Sequence, residues 1–238
     1  MKEKINELQK MIDESNNIVF FGGAGVSTES GIKDFRSKDG LYNEKYKWPP
    51  EMILSAGFFY SNTKEFYKFY RDKLNCLDKE PNITHKYLVK LEKKGKLKSI
   101  ITQNIDGLHT KAGSKTVYEI HGSIYRNYCI RCNKFYGPEF IFNSKDVPKC
   151  ECGGIVKPDV VLYGEQLGDD FVKAQYDVLH ADMMIVAGTS LNVYPASGLV
   201  SHFRGKYLVI INRSTTDYDR IANLVINESL GNVFSKLK

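Results

Sequence analysis

Four cysteines fall within one short window, as Cys129-x2-Cys132 and, seventeen residues on, Cys150-x-Cys152. That spacing lets four thiolates converge on a tetrahedral Zn²⁺, with Gly153-Gly154 supplying a tight turn after the second pair. With thiolate at all four positions no coordination site is left for water. The expected ion is therefore structural, clamping a small lobe that lacks a core of its own. Cys76 stands apart, in a segment of helical pattern. A second constellation is Gly22-Gly23-Ala24-Gly25-Val26-Ser27, which follows the apolar run Ile18 to Phe21 and leads to Asp34-Phe35-Arg36. Glycines there let the backbone turn tightly and approach a pyrophosphate, whose charge would rest on main-chain amides. Thr28 stands where the usual dinucleotide fingerprint has its third glycine, and no acidic residue closes the next strand, so a generic dehydrogenase fits poorly. Further polar clusters are Thr102-Gln103-Asn104-Ile105-Asp106, His121-Gly122-Ser123, Gly188-Thr189-Ser190 and Asn212-Arg213-Ser214. Gly188 to Ser190 offer small donors, and Asn212 a carboxamide able to bond a ribose hydroxyl.

Each cluster follows a short apolar run. Ile18 to Phe21, Leu97 to Thr102, Val117 to Ile120, Met183 to Ala187 and Tyr207 to Ile211 read as buried strands. Ile5, Leu8, Met11 and Ile12 recur at helical spacing, predicting an amphipathic helix over about 2 to 15. Thr84 is the expected N-cap of a helix ending near Lys94, with Gly95 as its stop. From Trp48-Pro49-Pro50 to about Leu77 the pattern is helical and aromatic, with Phe58, Phe59, Phe66, Phe69 and Tyr70 expected to pack. Buried strands alternating with helices argue for an α/β fold: a Rossmann-like parallel sheet with helices on both faces, plus a small zinc-ribbon and helical lobe. In such sheets ligands gather beyond the carboxyl ends of the strands, so the polar clusters should meet in one crevice.

The chain has 238 residues, 42% of them hydrophobic, enough for a substantial core. Its net charge of +6 comes largely from scattered lysines such as those between Lys90 and Lys98, which read as solvated faces. Beyond Tyr125, Arg126 and Arg131 no aromatic and basic residues interleave, so nucleic acid is not an expected partner. No run approaches the roughly 20 apolar residues of a membrane helix, and the N-terminus lacks the order of a secretory signal. The expected location is cytoplasmic, and the expected state a monomer.

The segments GAGVSTESGIKDFR (23 to 36), TQNIDGLH (102 to 109), HGS (121 to 123), the cysteine quartet, KPDVVLYGE (157 to 165), GTSLNVYPA (188 to 196) and INRS (211 to 214) together resemble the sirtuins, Sir2-type NAD-dependent protein-lysine deacylases. The match runs in order along most of the chain. It departs in three places: Lys33 replaces a usual proline, one residue rather than two separates Cys150 from Cys152, and Lys157 replaces a frequent arginine, which removes fork-shaped hydrogen bonding there.

The resemblance implies a Rossmann-like NAD-binding domain from 1–36 with 97–125 and 158–238, a helical insertion over 37–96 and a zinc-binding ribbon over 126–157. It implies NAD as co-substrate, held by Gly23, Ala24, Gly25, Thr28, Asp34, Phe35, Arg36, Gln103, Asn104, Ile105, Asp106, His121, Gly188, Thr189, Ser190, Asn212 and Arg213. Asp106 and the Ile105 backbone would hold the nicotinamide carboxamide, and Phe35 would shield the reacting ribose carbon. Asn104 would orient the ribose and a water, and Gln103 the ribose hydroxyls. His121 would be the general base, since an imidazole titrates near 6.5. His109 reads as a packing or hydrogen-bonded loop residue. An acetylated lysine would enter an apolar tunnel, its peptide lying as an extended strand between Val160 to Tyr163 and Asn192 to Tyr194, with Phe35, Val160, Val161, Tyr163, Gly164 and Val193 in contact. Tyr42-Asn43-Glu44-Lys45 lacks the Tyr-x-x-Arg pair that accepts acidic acyl groups, which favours acetyl over succinyl. The implied activity is deacetylation with transfer of the acetyl group to ADP-ribose. The alternatives are a mono-ADP-ribosyltransferase and a non-catalytic module that senses NAD or ADP-ribose.

Overall fold

The computed structural model describes every residue except Lys38 and Lys45. In chain order its helices are α1 (Lys2–Glu14), α2 (Pro50–Ile53), α3 (Ala56–Ser61), α4 (Thr63–Lys73), α5 (Ile83–Lys93), α6 (Leu108–Ala112), α7 (Pro138–Phe142), α8 (Asp169–His180), α9 (Leu199–His202) and α10 (Leu230–Phe234). The strands are β1 (Ile18–Gly22), β2 (Leu97–Thr102), β3 (Val117–Glu119), β4 (Gly122–Cys129), β5 (Phe135–Tyr136), β6 (Val156–Val160), β7 (Met183–Ala187), β8 (Tyr207–Ile211) and β9 (Leu224–Ile226).

Six strands form one parallel sheet in the order β3-β2-β1-β7-β8-β9. β1 and β7 are buried along their whole length, which is why they read as unbroken apolar runs. Successive side chains leave opposite faces. Ile18 and Phe20 pack with Ile185 and Val209 under α1, α5 and α10, while Val19 and Phe21 pack with Met184 and Ile210 under α8 and α9. Chain order reverses between neighbours β1 and β7, and at such a switch point the flanking loops splay apart and leave a crevice.

A second, antiparallel sheet, β5-β4-β6, joins α2, α3, α4 and α7 in the smaller lobe. Phe58, Phe59, Phe66, Phe69 and Tyr70 form its core, as their spacing predicts, together with Tyr67, Ile124 and Ile141. α5 falls within the 37–96 span expected to form the insertion, yet it packs on the large sheet through Tyr87, Leu88 and Leu91. Cys76 is buried just beyond α4, not within a helix.

The start of α5 corrects one expectation. Asn82, not Thr84, is the N-cap: its Oδ1 accepts the Thr84 N–H at 2.9 Å, and its own N–H donates to His85 Nδ1 at 3.3 Å. Either residue type can cap, but Thr84 already lies inside the first turn, with its hydroxyl buried and without a partner. Asn82 Nδ2 donates to the Val26 carbonyl at 2.8 Å, so the cap also holds the glycine turn after β1. Gly95, at φ 71°, ends the helix as expected. Losing both duties, Asn82→Ala should cost about 2 kcal/mol, the upper end for a lost cap. Thr84→Val should cost far less, since it removes an unsatisfied hydroxyl. Urea unfolding of the two variants tests this ranking.

Candidate active site

Beyond the carboxyl ends of the large sheet lies a cavity of about 970 Å³. All the residues expected to bind the nucleotide border it: Gly23, Ala24, Gly25, Thr28, Asp34, Phe35, Arg36, Gln103, Asn104, Ile105, Asp106, His121, Gly188, Thr189, Ser190, Asn212 and Arg213. So do the expected peptide contacts Val160, Val161, Tyr163, Gly164 and Val193.

Its floor is the meeting of two turns. Gly23 N–H donates to the Ala187 carbonyl at 3.1 Å and Gly25 N–H to the Gly188 carbonyl at 2.8 Å. A Cβ on Gly25 would sit 2.7 Å from Gly188 Cα, and one on Gly23 2.7 Å from Thr189 Cβ. These glycines are thus required by contact between main chains as well as by any ligand. Where a third glycine is usual, the Thr28 hydroxyl donates to the Gly25 carbonyl at 3.0 Å and closes the turn. Asn212 fastens the opposite side, its Oδ1 accepting from Thr189 N at 3.0 Å and its Nδ2 donating to Thr189 O at 2.9 Å. One amide N–H and one lone pair of Asn212 are left for a ligand. Gln103 Nε2 donates to Thr189 Oγ1 at 2.9 Å, which leaves its carbonyl oxygen for the same use.

Ser27 ties the glycine turn to the segment after β2. Its hydroxyl donates to Asp106 Oδ2 at 2.6 Å and accepts from Asn104 Nδ2 at 3.0 Å, while Leu108 N–H donates to Asp106 Oδ1 at 2.9 Å. Burial raises the Asp106 pKa, and the bonds from Ser27 and Leu108 pull it back. Ser27 was named with the glycine turn but given no role, and its only signal is a hydroxyl at the end of that turn. Also missed were Glu228, Ser229 and Leu230, which border the cavity beyond β9. Their signal is the run Leu224-Val225-Ile226, too short to stand out as a strand.

His121 lies where the chain passes from β3 in the large sheet to β4 in the small one. Gly122 makes that passage at φ 79°, and a Cβ there would strike the Asp159 carbonyl. His121 Nδ1 is 3.0 Å from the Gln103 carbonyl oxygen. A carbonyl can only accept, so Nδ1 carries the proton and Nε2 keeps its lone pair. Burial lowers the imidazole pKa, and the bond to Gln103 partly opposes it.

Among the expected peptide contacts, Tyr163 N–H donates to Leu54 O at 2.9 Å and Tyr163 O accepts from Ala56 N at 3.0 Å, while the Tyr163 and Tyr42 hydroxyls lie 2.8 Å apart. Among the described residues, no hydrogen bond uses the N–H of Gly164 or of Val193. Lys157 donates to Val160 O and to Glu165 Oε2, both at 3.1 Å, and Glu165 Oε2 also accepts Leu162 N–H at 2.8 Å. A point charge thus braces this loop without a guanidinium fork. Lys33 pairs with Glu44 at 2.8 Å, and Glu44 with Lys73 at 2.6 Å. Lys45, the last of the Tyr42 to Lys45 quartet, lies outside the described residues.

The four clustered cysteines converge. Their sulfurs all lie within 4.8 Å of one another, with Cys129 to Cys152 at 3.5 Å and Cys132 to Cys150 at 3.6 Å. Bonds of 2.3 Å to a tetrahedral zinc give sulfur–sulfur edges of about 3.8 Å, so the quartet fits that ion. Asn133 at φ 58° and Gly153 at φ 82° turn the chain after each pair, and Arg131 N–H donates to Cys129 Sγ at 3.4 Å. The shortened spacing between Cys150 and Cys152 therefore still brings both sulfurs to the same point.

A family model described as Sir2 family matches residues 23–195. An NAD-dependent protein deacetylase of Clostridium perfringens is 57% identical over 242 residues, covering 100% of this chain and 99% of its own. One of Clostridium acetobutylicum is 55% identical over 236 residues, covering 97% and 96%. Among solved structures, Sir2 bound to acetylated peptide superposes with TM-score 0.89 at 39% identity, covering 98% of this chain and 96% of that one. A Sir2–p53 peptide–NAD+ complex superposes with TM-score 0.88 at 40% identity, with the same coverage.

The small lobe, expected to lack a core of its own, has the aromatic core described above, so stripping the metal with a chelator, or making Cys150→Ser, should disorder only the turns that carry the four cysteines while that core and the large sheet persist. Metal content by mass spectrometry should fall from one zinc per chain to none, with a partial loss of circular dichroism. A variant that keeps both its zinc and its full signal would contradict this.

Proposed function

The chain belongs to the Sir2 family, and on that premise we propose that it is an NAD-dependent protein-lysine deacetylase, yielding nicotinamide, O-acetyl-ADP-ribose and free lysine. The observation that carries this reading is the single cavity shared by the glycine turn, the buried Asp106 and an imidazole whose Nδ1 is occupied. An NAD- or ADP-ribose-sensing module has no use for such a base.

In this reading NAD, as co-substrate, offers a ribose carbon from which nicotinamide departs and to which the acetamide oxygen adds. An amide is a weak nucleophile, so the protein must help the departing bond break and keep water away. Asp106, fixed by Ser27 and the Leu108 amide, holds the nicotinamide carboxamide together with the Ile105 backbone. Phe35 covers the reacting carbon, Asn104 orients the ribose and a water, and the free carbonyl of Gln103 meets the ribose hydroxyls. Gly23 to Gly25, Thr28, Asp34, Arg36, Gly188 to Ser190, Asn212 and Arg213 take the pyrophosphate and adenosine. His121 Nε2 accepts a proton from the ribose diol, so that a ribose oxygen closes on the acyl carbon. One water then adds to that carbon, its bond to the lysine nitrogen breaks, and lysine leaves as the free amine while the acetyl group stays on the ribose. The peptide pairs as a strand with the unused amides of Gly164 and Val193, and Phe35, Val160, Val161 and Tyr163 line the acyl-lysine tunnel. Such main-chain pairing reads little sequence.

The four thiolates of Cys129, Cys132, Cys150 and Cys152 hold a structural Zn²⁺, which cross-links the ribbon over 126–157 and takes no part in the chemistry. We divide the chain as the sequence suggests, with α5 moved to the NAD-binding domain on which it packs. The protein works as a cytoplasmic monomer on acetylated proteins. No helix among the described residues is long and apolar enough to cross a membrane.

His121→Ala should lower peptide-dependent O-acetyl-ADP-ribose formation by roughly 10²- to 10⁴-fold, the usual worth of a general base. Mass spectrometry of products from NAD and an acetyl-lysine peptide reads this, and full turnover by the variant would remove the assignment. The working form of His121 is the neutral ring, and burial lowers its pKa. The acid limb of kcat/KM should therefore fall below pH 6.5, with activity lost only as pH drops through that lowered value. A limb above 6.5 counts against His121. On a single peptide acetyl should turn over faster than succinyl, and the reverse order would overturn the acyl preference.

A further inference from the structure

Arg126 spans the junction between the two sheets. Its Nη1 donates to Glu119 Oε2 at 2.5 Å and its Nε to Asp159 Oδ2 at 2.7 Å. Glu119 closes β3, the edge of the large sheet, two residues before His121. Asp159 lies in β6 of the small sheet, directly opposite Ser123, two residues after His121. The pairing of β4 with β6 shifts register between Ser123 and Asn127, and Arg126 sits in that irregular stretch. The Glu119 side chain is only 11% exposed, and its N–H donates to Asp170 Oδ2 at 3.2 Å, at the start of α8. One guanidinium on β4 therefore holds β3, which leads into the imidazole, and β6, which pairs with β4 beyond it, and β3 is anchored independently to the large lobe. Such a fork needs two donors in fixed geometry, which a lysine cannot reproduce. An unpaired carboxylate at Glu119 would be costly to keep in place.

We propose that Arg126 is a positioning residue for His121: by clasping Glu119 and Asp159 it fixes where the two sheets meet, and so where Nε2 points. The proposal rests on the deacetylase reading given above and adds to it a residue that does not border the cavity. Arg126 then matters only after nicotinamide has departed, because the proton transfer to His121 follows that step.

The test compares Arg126→Gln and Arg126→Lys with the unaltered zinc-loaded chain. Exchange of labelled nicotinamide into NAD in the presence of acetylated peptide reports bond breaking before the base acts, and O-acetyl-ADP-ribose formation reports the steps that need it. Exchange should stay within about twofold, and NAD affinity by calorimetry should be unchanged. Product formation should fall about 10- to 100-fold in Arg126→Gln, the loss expected of a catalytic group misplaced by about an ångström. Arg126→Lys should recover part of it, and adding Arg126→Gln to His121→Ala should lower product formation no further. Exchange and product formation falling together would make Arg126 merely structural and overturn the proposal. Unchanged product formation in both variants, or additivity with His121→Ala, would overturn it as well. If the unaltered chain showed no peptide-dependent exchange, the deacetylase reading itself would fall, a result separable from all of these.

Discussion

Two turns, one after β1 and one after β7, touch main chain to main chain at the point where strand order reverses. Gly25 donates to Gly188 with no side chain between them, and nothing larger than hydrogen fits at either position. The rest of the site is arranged around that contact. Thr28 closes the first turn, Asn212 fastens the second, and Gln103 bridges to it from β2. Because these bonds are made within the protein, the cavity floor is formed before any ligand arrives, and little ordering is left to oppose binding.

Much of this was legible in the residues, and what was missed has physical reasons. Continuous apolar runs mark strands buried on both faces, so β1, β7 and β8 could be read directly, and β2 from its Ile100-Ile101 pair after the Gly95 stop. β9 could not, because three apolar residues in a long loop carry no period. Asn82 and Thr84 are both good caps; in the fold Asn82 makes the local bonds to Thr84 and His85 and also reaches Val26, 56 positions away. The same limit applies to Asn212: its amide type was visible, but the Thr189 main chain that engages it is brought near only by the fold. Ser27 was hidden for another reason. A serine after a glycine turn is common, and only the buried Asp106 across the crevice gives it a task. The cysteine quartet needed no such context, since its spacing alone implies convergence.

The smaller lobe meets the larger one at the bend holding His121 and Gly122. A rigid metal knuckle at the far end of β4 and β6 and an ionic clasp near their other end leave those strands little freedom in between. The imidazole thus sits between two separately stiffened bodies, with its ring tethered to the larger through Gln103. The two lysines that replace residues usual in the family find local work: Lys157 braces the loop from Val160 to Glu165, and Lys33 joins Glu44 and Lys73 beside the cavity.

Asn82 serves two masters, a helix end and a carbonyl of the glycine turn. Fraying at the head of α5 would therefore release the Val26 carbonyl, which links the stability of that helix end to the shape of the glycine turn.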